Sequence, residues 1–460
     1  MLKFIIAFLA GKAAKILLKL LGRRATHFPG ELALKICPDF LKYIGKPKNI
    51  ICVTGTNGKT STCNMIEDSL RQDGLKILDN SFGSNTLPGI CATFIDGVNF
   101  FNKPVYENCV LEVDERSSLH IYKYVTPTYF ICTNLFRDSV MRNAHTEFIF
   151  SMINDYLPSS TKLILNGDDV ISSRLGEGIN ESRIFFGVNK LEGEQTEDYN
   201  IINDGRACPV CGAKMIFDFK RYHHIGKAHC SRCDVKSPDA DYTVVSADEK
   251  AKTITVSLKG EEHTFPMVNE AIFNIYNEVA VIALLSEYGY APEKIASFMG
   301  KLHITSTRYN ETQAGDVRVI CTMLKGYNPI ACSRNCHTAR VREGKKAVFF
   351  MVDDIHNEQD DSESITWHYE ADYEALNDES ITHIFASGPR ALDVKYRLLL
   401  AGIPEEKITV GRYEKDVIEK MSLDGTDALL IFYDMHRYDK LEKEVKPAIV
   451  SKFAKGGQVK

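Results

Sequence analysis

Asn49-Ile-Ile-Cys-Val-Thr-Gly-Thr-Asn-Gly-Lys-Thr-Ser-Thr62 is the stretch whose reading decides the fold. An apolar, β-branched run ends in a glycine-rich turn, then Lys and Thr, then a helical pattern. This is the order of a strand–loop–helix phosphate cradle. In such a cradle backbone N–H groups and the helix N-terminus face phosphate oxygens. Lys59 is placed to reach the terminal phosphates, and Thr60 to ligate Mg²⁺. The whole run Thr54, Gly55, Thr56, Asn57, Gly58, Lys59, Thr60 and Ser61 is therefore the expected nucleotide site. The common Gly-x-x-x-x-Gly-Lys-Ser/Thr form needs Gly at position 53, where Val53 stands, so the loop is a compact variant.

Outward from that loop the chain alternates. Strand candidates are Ile50–Thr54, Cys109–Val113, Tyr129–Thr133, Leu163–Leu165 and Arg183–Phe186. Helical patterns lie between them, as at Thr60–Gln72 and Phe148–Tyr156. A phosphate loop after the first strand of such an alternation predicts a mostly parallel, doubly wound α/β sheet. A hairpin-like stretch at Tyr242–Thr264 and a helix at Ile272–Tyr288 follow. A boundary near Leu302–Glu311 precedes a second, smaller α/β rhythm, with strands at Val317–Met323, Ala347–Val352, His383–Ala386, Ile408–Val410 and Ala428–Phe432. The expected organisation is an N-terminal lead-in over 1–47, a central ATP-binding domain over 48–305 and a C-terminal Rossmann-like domain over 306–460.

With 460 residues, 44% hydrophobic and 25% charged, the chain has the composition of an ordinary globular protein of two or three domains. A net charge of −5 argues against a nucleic-acid-coating surface. Most of the thirteen cysteines sit singly in apolar runs and read as buried hydrophobes. No secretory signal is legible, which points to a reducing cytoplasm. Leu2 to Leu21 is apolar, but Lys3, Lys12, Lys15 and Lys19 make it too charged and too short to span a bilayer. Lys12, Lys15, Lys19 and Arg23 gather on one side of a helix. Two readings follow: a basic amphipathic helix on an anionic membrane surface, or a helix packed on its own domain with a solvated lysine face.

Residues from about 200 to 240 interrupt the alternation. Cys208-Pro-Val-Cys211 and Cys230-Ser-Arg-Cys233 are two Cys-x₂-Cys knuckles with eighteen residues between them. This spacing predicts one tetrahedral Zn²⁺ held by four thiolates, with no open position for a catalytic water, hence a structural ribbon. His223, His224 and His229 are surplus to that ligand set and read as solvated loop residues. Glu112 closes an apolar strand and is placed to share Mg²⁺ with Thr60. Asp114 and Glu115 are alternatives for that role, and one of them reads as a solvated turn residue. Asn166-Gly-Asp-Asp169 reads as a turn. Asn274 and Asn277 open a helix, either as capping amides or as readers of an adenine edge.

The compact phosphate loop resembles that of the Mur ligase superfamily, whose members activate a carboxylate with ATP as an acyl phosphate. A Cys₄ ribbon in the central domain narrows the resemblance to the MurT family within it. Phe28-Pro-Gly30, Val110-Leu-Glu-Val-Asp-Glu115, Thr133-Asn-Leu-Phe-Arg-Asp138 and Phe273-Asn-Ile-Tyr-Asn277 look like that family's segments, and the resemblance to Mur ligases implies that Asn166-Gly-Asp-Asp169 lies near the site. The resemblance covers nearly the whole chain and is strongest from residue 50 to 290. It implies ATP, Mg²⁺ and structural Zn²⁺ as cofactors. It also implies a separate glutaminase subunit of GatD type as heterodimer partner, and lipid II at the membrane surface as substrate. The expected reaction is amidation of the D-glutamate α-carboxyl.

By the same resemblance Arg308 is the phosphate contact at the domain junction, and Lys325 a nucleotide contact. The acidic loop Asp353–Glu363 precedes Thr366-Trp367 and departs from the family pattern in length. Its aspartates are implied to complete a partner's Cys–His pair, Asp361 first, then Asp360 or Asp354. The other reading of these residues is a solvated acidic surface. Cys332, Cys336 and His337 lie close in sequence and read as an incidental helix face. Two rival functions remain at this stage: an amino-acid-adding ligase of muramyl or folylpolyglutamate type, and a non-catalytic ATP-binding scaffold.

Overall fold

The computed structural model describes residues 1–81, 84–137, 145–192, 194, 200–302, 309–324, 328–352, 365–434 and 437–454, with 309 and 310 as backbone only. These fall into two compact units. The first holds the described residues up to 302 apart from 200–203. The second holds 200–203 and 309–454.

The first unit is built on a nine-stranded sheet. Its strands are β1 (Asn49–Thr54), β2 (Ile77–Asp79), β3 (Asn108–Glu112), β4 (Tyr129–Cys132), β5 (Lys162–Asn166), β6 (Arg183–Val188), β9 (Tyr242–Asp248), β10 (Thr253–Leu258) and β11 (Glu261–Pro266). Their order is β11-β10-β9-β6-β5-β4-β1-β3-β2. The run from β2 to β9 is parallel, and β9–β10–β11 is an antiparallel meander. Central strand β1 is buried at every residue but its first, as expected for a parallel strand covered on both faces. It lies between β3 and β4, so the chain reverses its direction of travel across the sheet there. Ligands of open parallel sheets bind at such a switch point, beyond the carboxyl ends of the strands. The remaining two strands, β7 (Met215–Tyr222) and β8 (Ile225–Cys230), form a separate hairpin.

Helix α1 (Leu2–Leu20) and helix α2 (Phe28–Ile36) belong to this first unit and pack on a later helix of it, Leu87–Gly97. Gly30 is where α2 and that helix come closest: a Cβ there would meet Pro88 O at 1.8 Å. The arrangement of α1 corrects the expected solvated lysine face. Lys15 is buried, donates to Ala92 O at 2.9 Å and pairs with Asp96. Lys12 donates to Val98 O. Burial pulls both ammonium groups below the ordinary lysine value. Phe4, Ala7, Phe8 and Gly11 complete the inward face. The outward face carries Leu2, Ile5, Ile6, Leu9, Ile16, Leu17 and Leu20, all exposed. No helix among the described residues is long and apolar enough to cross a membrane.

The second unit has a six-stranded sheet in the order β12-β13-β17-β14-β15-β16. Its strands are β12 (Tyr309–Ala314), β13 (Val317–Leu324), β14 (Lys346–Met351), β15 (Ile381–Ser387), β16 (Ile408–Gly411) and β17 (Ala428–Asp434). All pairings are parallel except β12 with β13. Alternation along β14 feeds two cores: Val348 and Phe350 enter one, Ala347, Phe349 and Met351 the other.

Candidate nucleotide site and zinc ribbon

The loop after β1 is held rigidly by the end of β4. Thr56 N donates to Asn134 O at 2.9 Å, and Thr56 Oγ1 exchanges hydrogen bonds with Phe136 N and O at 2.9 and 3.0 Å. Asn134 brackets Asn57, accepting from its N–H and donating to its carbonyl, both at 3.0 Å. Thr133 Oγ1 adds a 2.6 Å bond to Asn57 O. Thr54 spends its hydroxyl on Val113 O, so its part is to fix the strand end. Gly55 (φ 130°) and Gly58 (φ 90°) take conformations that a side chain rarely adopts. A Cβ at Gly55 would strike Thr133 Oγ1 at 2.2 Å, and one at Gly58 would strike Asn277 Oδ1 at 2.3 Å.

Helix Lys59–Gln72 starts from Gly58 with no side-chain cap, so its first-turn N–H groups are not taken by a capping residue. Ser61 lies half-buried in that turn. Lys59 is buried, pairs with Glu115 Oε1 at 3.1 Å and also bonds Gly55 O. Burial alone would lower its pKa, but Glu115 and Glu112 outweigh it and hold the ammonium above the ordinary lysine value. Thr60 Oγ1 donates to Glu112 Oε2 at 2.7 Å. Asn85 Nδ2 holds the other oxygen of Glu112 at 3.0 Å, and Asn80 clasps its backbone.

Asp114 and Glu115 are both buried, which corrects the expectation that one is a solvated turn residue. Glu115 faces Lys59. Asp114 caps the 3₁₀ turn through Arg116 N at 3.1 Å. The donor set fits ATP with Mg²⁺. The glycine cradle has no room for a Cβ, the buried Asn57 Nδ2 lacks a partner, and three carboxylates stand near one lysine. A polyphosphate would add negative charge there, and a divalent cation between Thr60 and Glu112 would offset it.

Asn277 is buried against Gly58, at the phosphate loop itself. Asn274 Nδ2 donates to Asn269 Oδ1 at 2.8 Å, and Asn269 Oδ1 also accepts Ala271 N, so these two side chains organise the start of helix Ile272–Tyr288. Glu278, one turn further along, accepts Val268 N and Asn269 N at 3.2 and 2.9 Å. Burial pushes its carboxyl up to about 7. Arg308, Lys325, Asp354, Asp360 and Asp361 lie outside the described residues.

Cys208, Cys211, Cys230 and Cys233 converge, with all four sulfurs within 4.8 Å of one another. Cys208 and Cys233 Sγ are 3.6 Å apart, and Cys211 and Cys230 Sγ 3.4 Å. Four ligands at a Zn–S length of ~2.3 Å in tetrahedral array would be ~3.8 Å apart, so the sulfurs fit a zinc ion and are too distant for disulfides. The N–H groups of Cys233 and Arg232 point at Cys230 Sγ, at 3.5 and 3.3 Å, and pull its thiol down to about 6.

The hairpin that carries these knuckles turns at His223 and His224. Both are buried, which corrects their reading as solvated residues. His224 Nε2 lies 3.2 Å from Asp169 Oδ1, and its ring packs against Phe136 at 4.7 Å. His229 is half-exposed beside Asp218. Asp169 is more than a turn residue. It also accepts Leu135 N at 2.7 Å, joining the ribbon tip to the segment that clasps the nucleotide loop. Burial opposes its charge, yet His224 and the N–H groups of Ile171 and Leu135 hold its carboxyl below the ordinary range. Asp168 does the same for the helix behind the loop, accepting Tyr276 OH at 2.6 Å and Lys227 Nζ at 2.8 Å. The sequence placed this stretch near the site only by resemblance and gave no sign of what the two aspartates hold, because their partners lie 55 and 108 positions away for His224 and Tyr276.

In the second unit Cys332 and Cys336 are buried in its core. Burial pushes the Cys336 thiol well up, so it is no nucleophile. Trp367 is buried and stacks on His368, whose ring burial drives to about 3, hence neutral.

The profile of the Mur ligase middle domain matches residues 53–217, and that of the MurT ligase C-terminal domain matches residues 326–435. The chain is 29% identical over 400 residues to a Staphylococcus aureus protein named lipid II isoglutaminyl synthase (glutamine-hydrolyzing) subunit MurT, spanning 86% of this chain and 87% of that one. It is 29% identical over 413 residues to the protein of that name from Streptococcus pneumoniae, spanning 89% of each. Among solved structures it is similar to a pseudomurein peptide ligase type C from Methanothermus fervidus (TM-score 0.67, 18% identity, 90% of this chain and 80% of that one). MurF from Thermotoga maritima in complex with ADP superposes with TM-score 0.58 at 13% identity, over 93% and 85% of the two chains. These structural likenesses concern the fold.

Proposed function

This chain belongs to the Mur ligase superfamily and carries a MurT-type C-terminal domain, and from that premise we propose that it is the ATP-dependent ligase subunit of a lipid II isoglutaminyl synthase. The observation that carries the reading is the pairing of Lys59 and Thr60 with Glu115 and Glu112 at the mouth of β1. In this reading an oxygen of the D-glutamate α-carboxylate attacks the γ-phosphorus of ATP, and ADP leaves. Ammonia then attacks the carbonyl carbon of the acyl phosphate. Phosphate leaves with the C–O bonding pair, and the nitrogen sheds a proton to give D-isoglutamine.

Lys59 holds its positive charge where the transferring phosphoryl group becomes most negative. Thr60 and Glu112 would hold Mg²⁺, which supplies charge neutralisation between the phosphates. Asn277 rests on the phosphate loop; on the family resemblance alone, Asn274 reads the adenine and Arg308 and Lys325, outside the described residues, are further nucleotide contacts. Cys208, Cys211, Cys230 and Cys233 would hold structural zinc.

The ammonia comes from a separate GatD-type glutaminase, and Asp361, with Asp360 or Asp354 as substitutes, completes that partner's site. The complex works on the cytoplasmic side of the membrane that carries lipid II. Co-purification with the glutaminase, followed by an assay for amide formed from glutamine and ATP, tests the proposal. Lys59→Ala should lower the rate by ~10² or more. A chain that ignores ammonia but joins a free amino acid to the substrate would instead be an amino-acid-adding ligase.

A further inference from the structure

The outward face of α1 is the largest unexplained feature of the first unit. Leu2, Ile5, Ile6, Leu9, Ile16, Leu17 and Leu20 are between 46% and 79% exposed. At ~100° per residue they fall within roughly 120° of arc, a continuous apolar stripe. The two lysines that could have softened it, Lys12 and Lys15, are turned inward and bonded to Val98 O, Ala92 O and Asp96. Lys12 and Lys15 are thus satisfied by the protein beside the buried Phe4, Ala7 and Phe8, and a second apolar face is left to the outside.

Beside α1, Phe100 rests against Lys12, and Phe100 and Phe101 are 64% and 85% exposed. The stripe is rimmed by exposed Lys3, Lys19, Arg23 and Arg24, and Asp96, partly exposed, pairs with Lys19 at 3.6 Å.

We propose that this face of α1, with the Phe100–Phe101 loop, seats the protein on the surface of an anionic bilayer. An exposed apolar stripe whose rim carries Lys3, Lys19, Arg23 and Arg24 against the carboxylate of Asp96 matches the boundary between acyl chains and anionic headgroups. A second copy of the chain fits it poorly, because stacking two α1 helices brings like charges together in either orientation. The choice of a bilayer also rests in part on the reading above, in which the substrate is lipid-borne. Seating by α1 would bring the first unit, with its nucleotide loop, to the surface where that substrate is held.

Sedimentation of the full chain with phosphatidylcholine vesicles, with and without phosphatidylglycerol, tests this. Binding should require the anionic lipid and weaken with salt, and each of Lys3, Arg23 and Arg24 should be worth roughly five-fold in partitioning. The double variant Leu9→Glu/Leu17→Glu changes only exposed positions. It should keep the parent Tm and lose vesicle binding on the order of 30-fold or more.

Absence of vesicle binding by the parent, or equal binding by the variant, overturns the inference. So does self-association that the variant abolishes, which would make the face a dimer contact. Loss of vesicle binding when the glutaminase is added assigns the face to that subunit and overturns it as well. Ammonia-driven amidation of a lipid-free muropeptide separates the two readings. Activity there without vesicle binding sinks the membrane seat alone, whereas vesicle binding without any amidation sinks the ligase reading alone.

Discussion

Replacing Gly58 by alanine probes the nucleotide loop at its tightest point. Gly58 sits at φ 90° and ψ −10°, as the residue before helix Lys59–Gln72. An L-residue in a left-handed conformation costs ~1–2 kcal/mol. The added Cβ would also lie 2.3 Å from Asn277 Oδ1. Asn277 is buried on helix Ile272–Tyr288, so its amide must be pushed aside against packed neighbours, at roughly 1–2 kcal/mol more. Gly58→Ala should therefore weaken nucleotide binding by about 2–4 kcal/mol, on the order of 30- to 1,000-fold.

The two parts can be separated. Asn277→Ala removes the obstruction and leaves the backbone strain. In the double variant the loss should be smaller than the sum of the single losses by about 1–2 kcal/mol. Titration calorimetry of ATP and Mg²⁺ on the four proteins measures the cycle. Parent-like affinity in Gly58→Ala, or strict additivity in the double variant, would refute the placement of Asn277 over the loop.

Metal analysis should find about one zinc per chain, and Cys208→Ser should lose it together with thermal stability. Glu278 titrates higher in the folded chain than its ordinary value of 4.5, at about 7. The folded state then binds more protons than the unfolded one between those values, so this group's contribution to stability falls as pH rises from about 4.5 through 7. Glu278→Gln should remove roughly 3 kcal/mol of that fall, read as the difference between parent and variant denaturation at pH 4.5 and 8. Asp361→Asn should abolish glutamine hydrolysis by the complex while amidation with added ammonia survives. Loss of both activities would place Asp361 in the ligase's own site.

The parallel architecture was legible because each central strand is a short apolar run and the phosphate loop marks the first of them. Predicted and observed strands differ by a residue or two, as at Ile50–Thr54 against Asn49–Thr54. The short edge strand Ile77–Asp79 went unseen, since three residues carry no period. Glu112 with Thr60 and the four cysteines could be paired from spacing and chemistry alone. The partners of Asp168 and Asp169 could not, because burial and long-range pairing leave no local mark on Asn166-Gly-Asp-Asp169. For α1 the period was right and the direction wrong. Lysines are normally turned to solvent, and only the carbonyls of Ala92 and Val98 with Asp96 make it possible to turn Lys12 and Lys15 inward.

The β7–β8 hairpin couples the cysteine cluster to the nucleotide loop. The buried part of its apolar cluster is small, Cys208, Met215, Ala228 and Cys230, and a lone two-stranded hairpin is marginal in water. Its tip nevertheless delivers the imidazole that Asp169 needs at full burial. Without that tip Asp169 would keep only its backbone N–H donors beside the segment that clasps Thr56. With zinc held by the four cysteines as proposed, removing the metal would be felt at the nucleotide loop, through His224, Asp169 and Leu135.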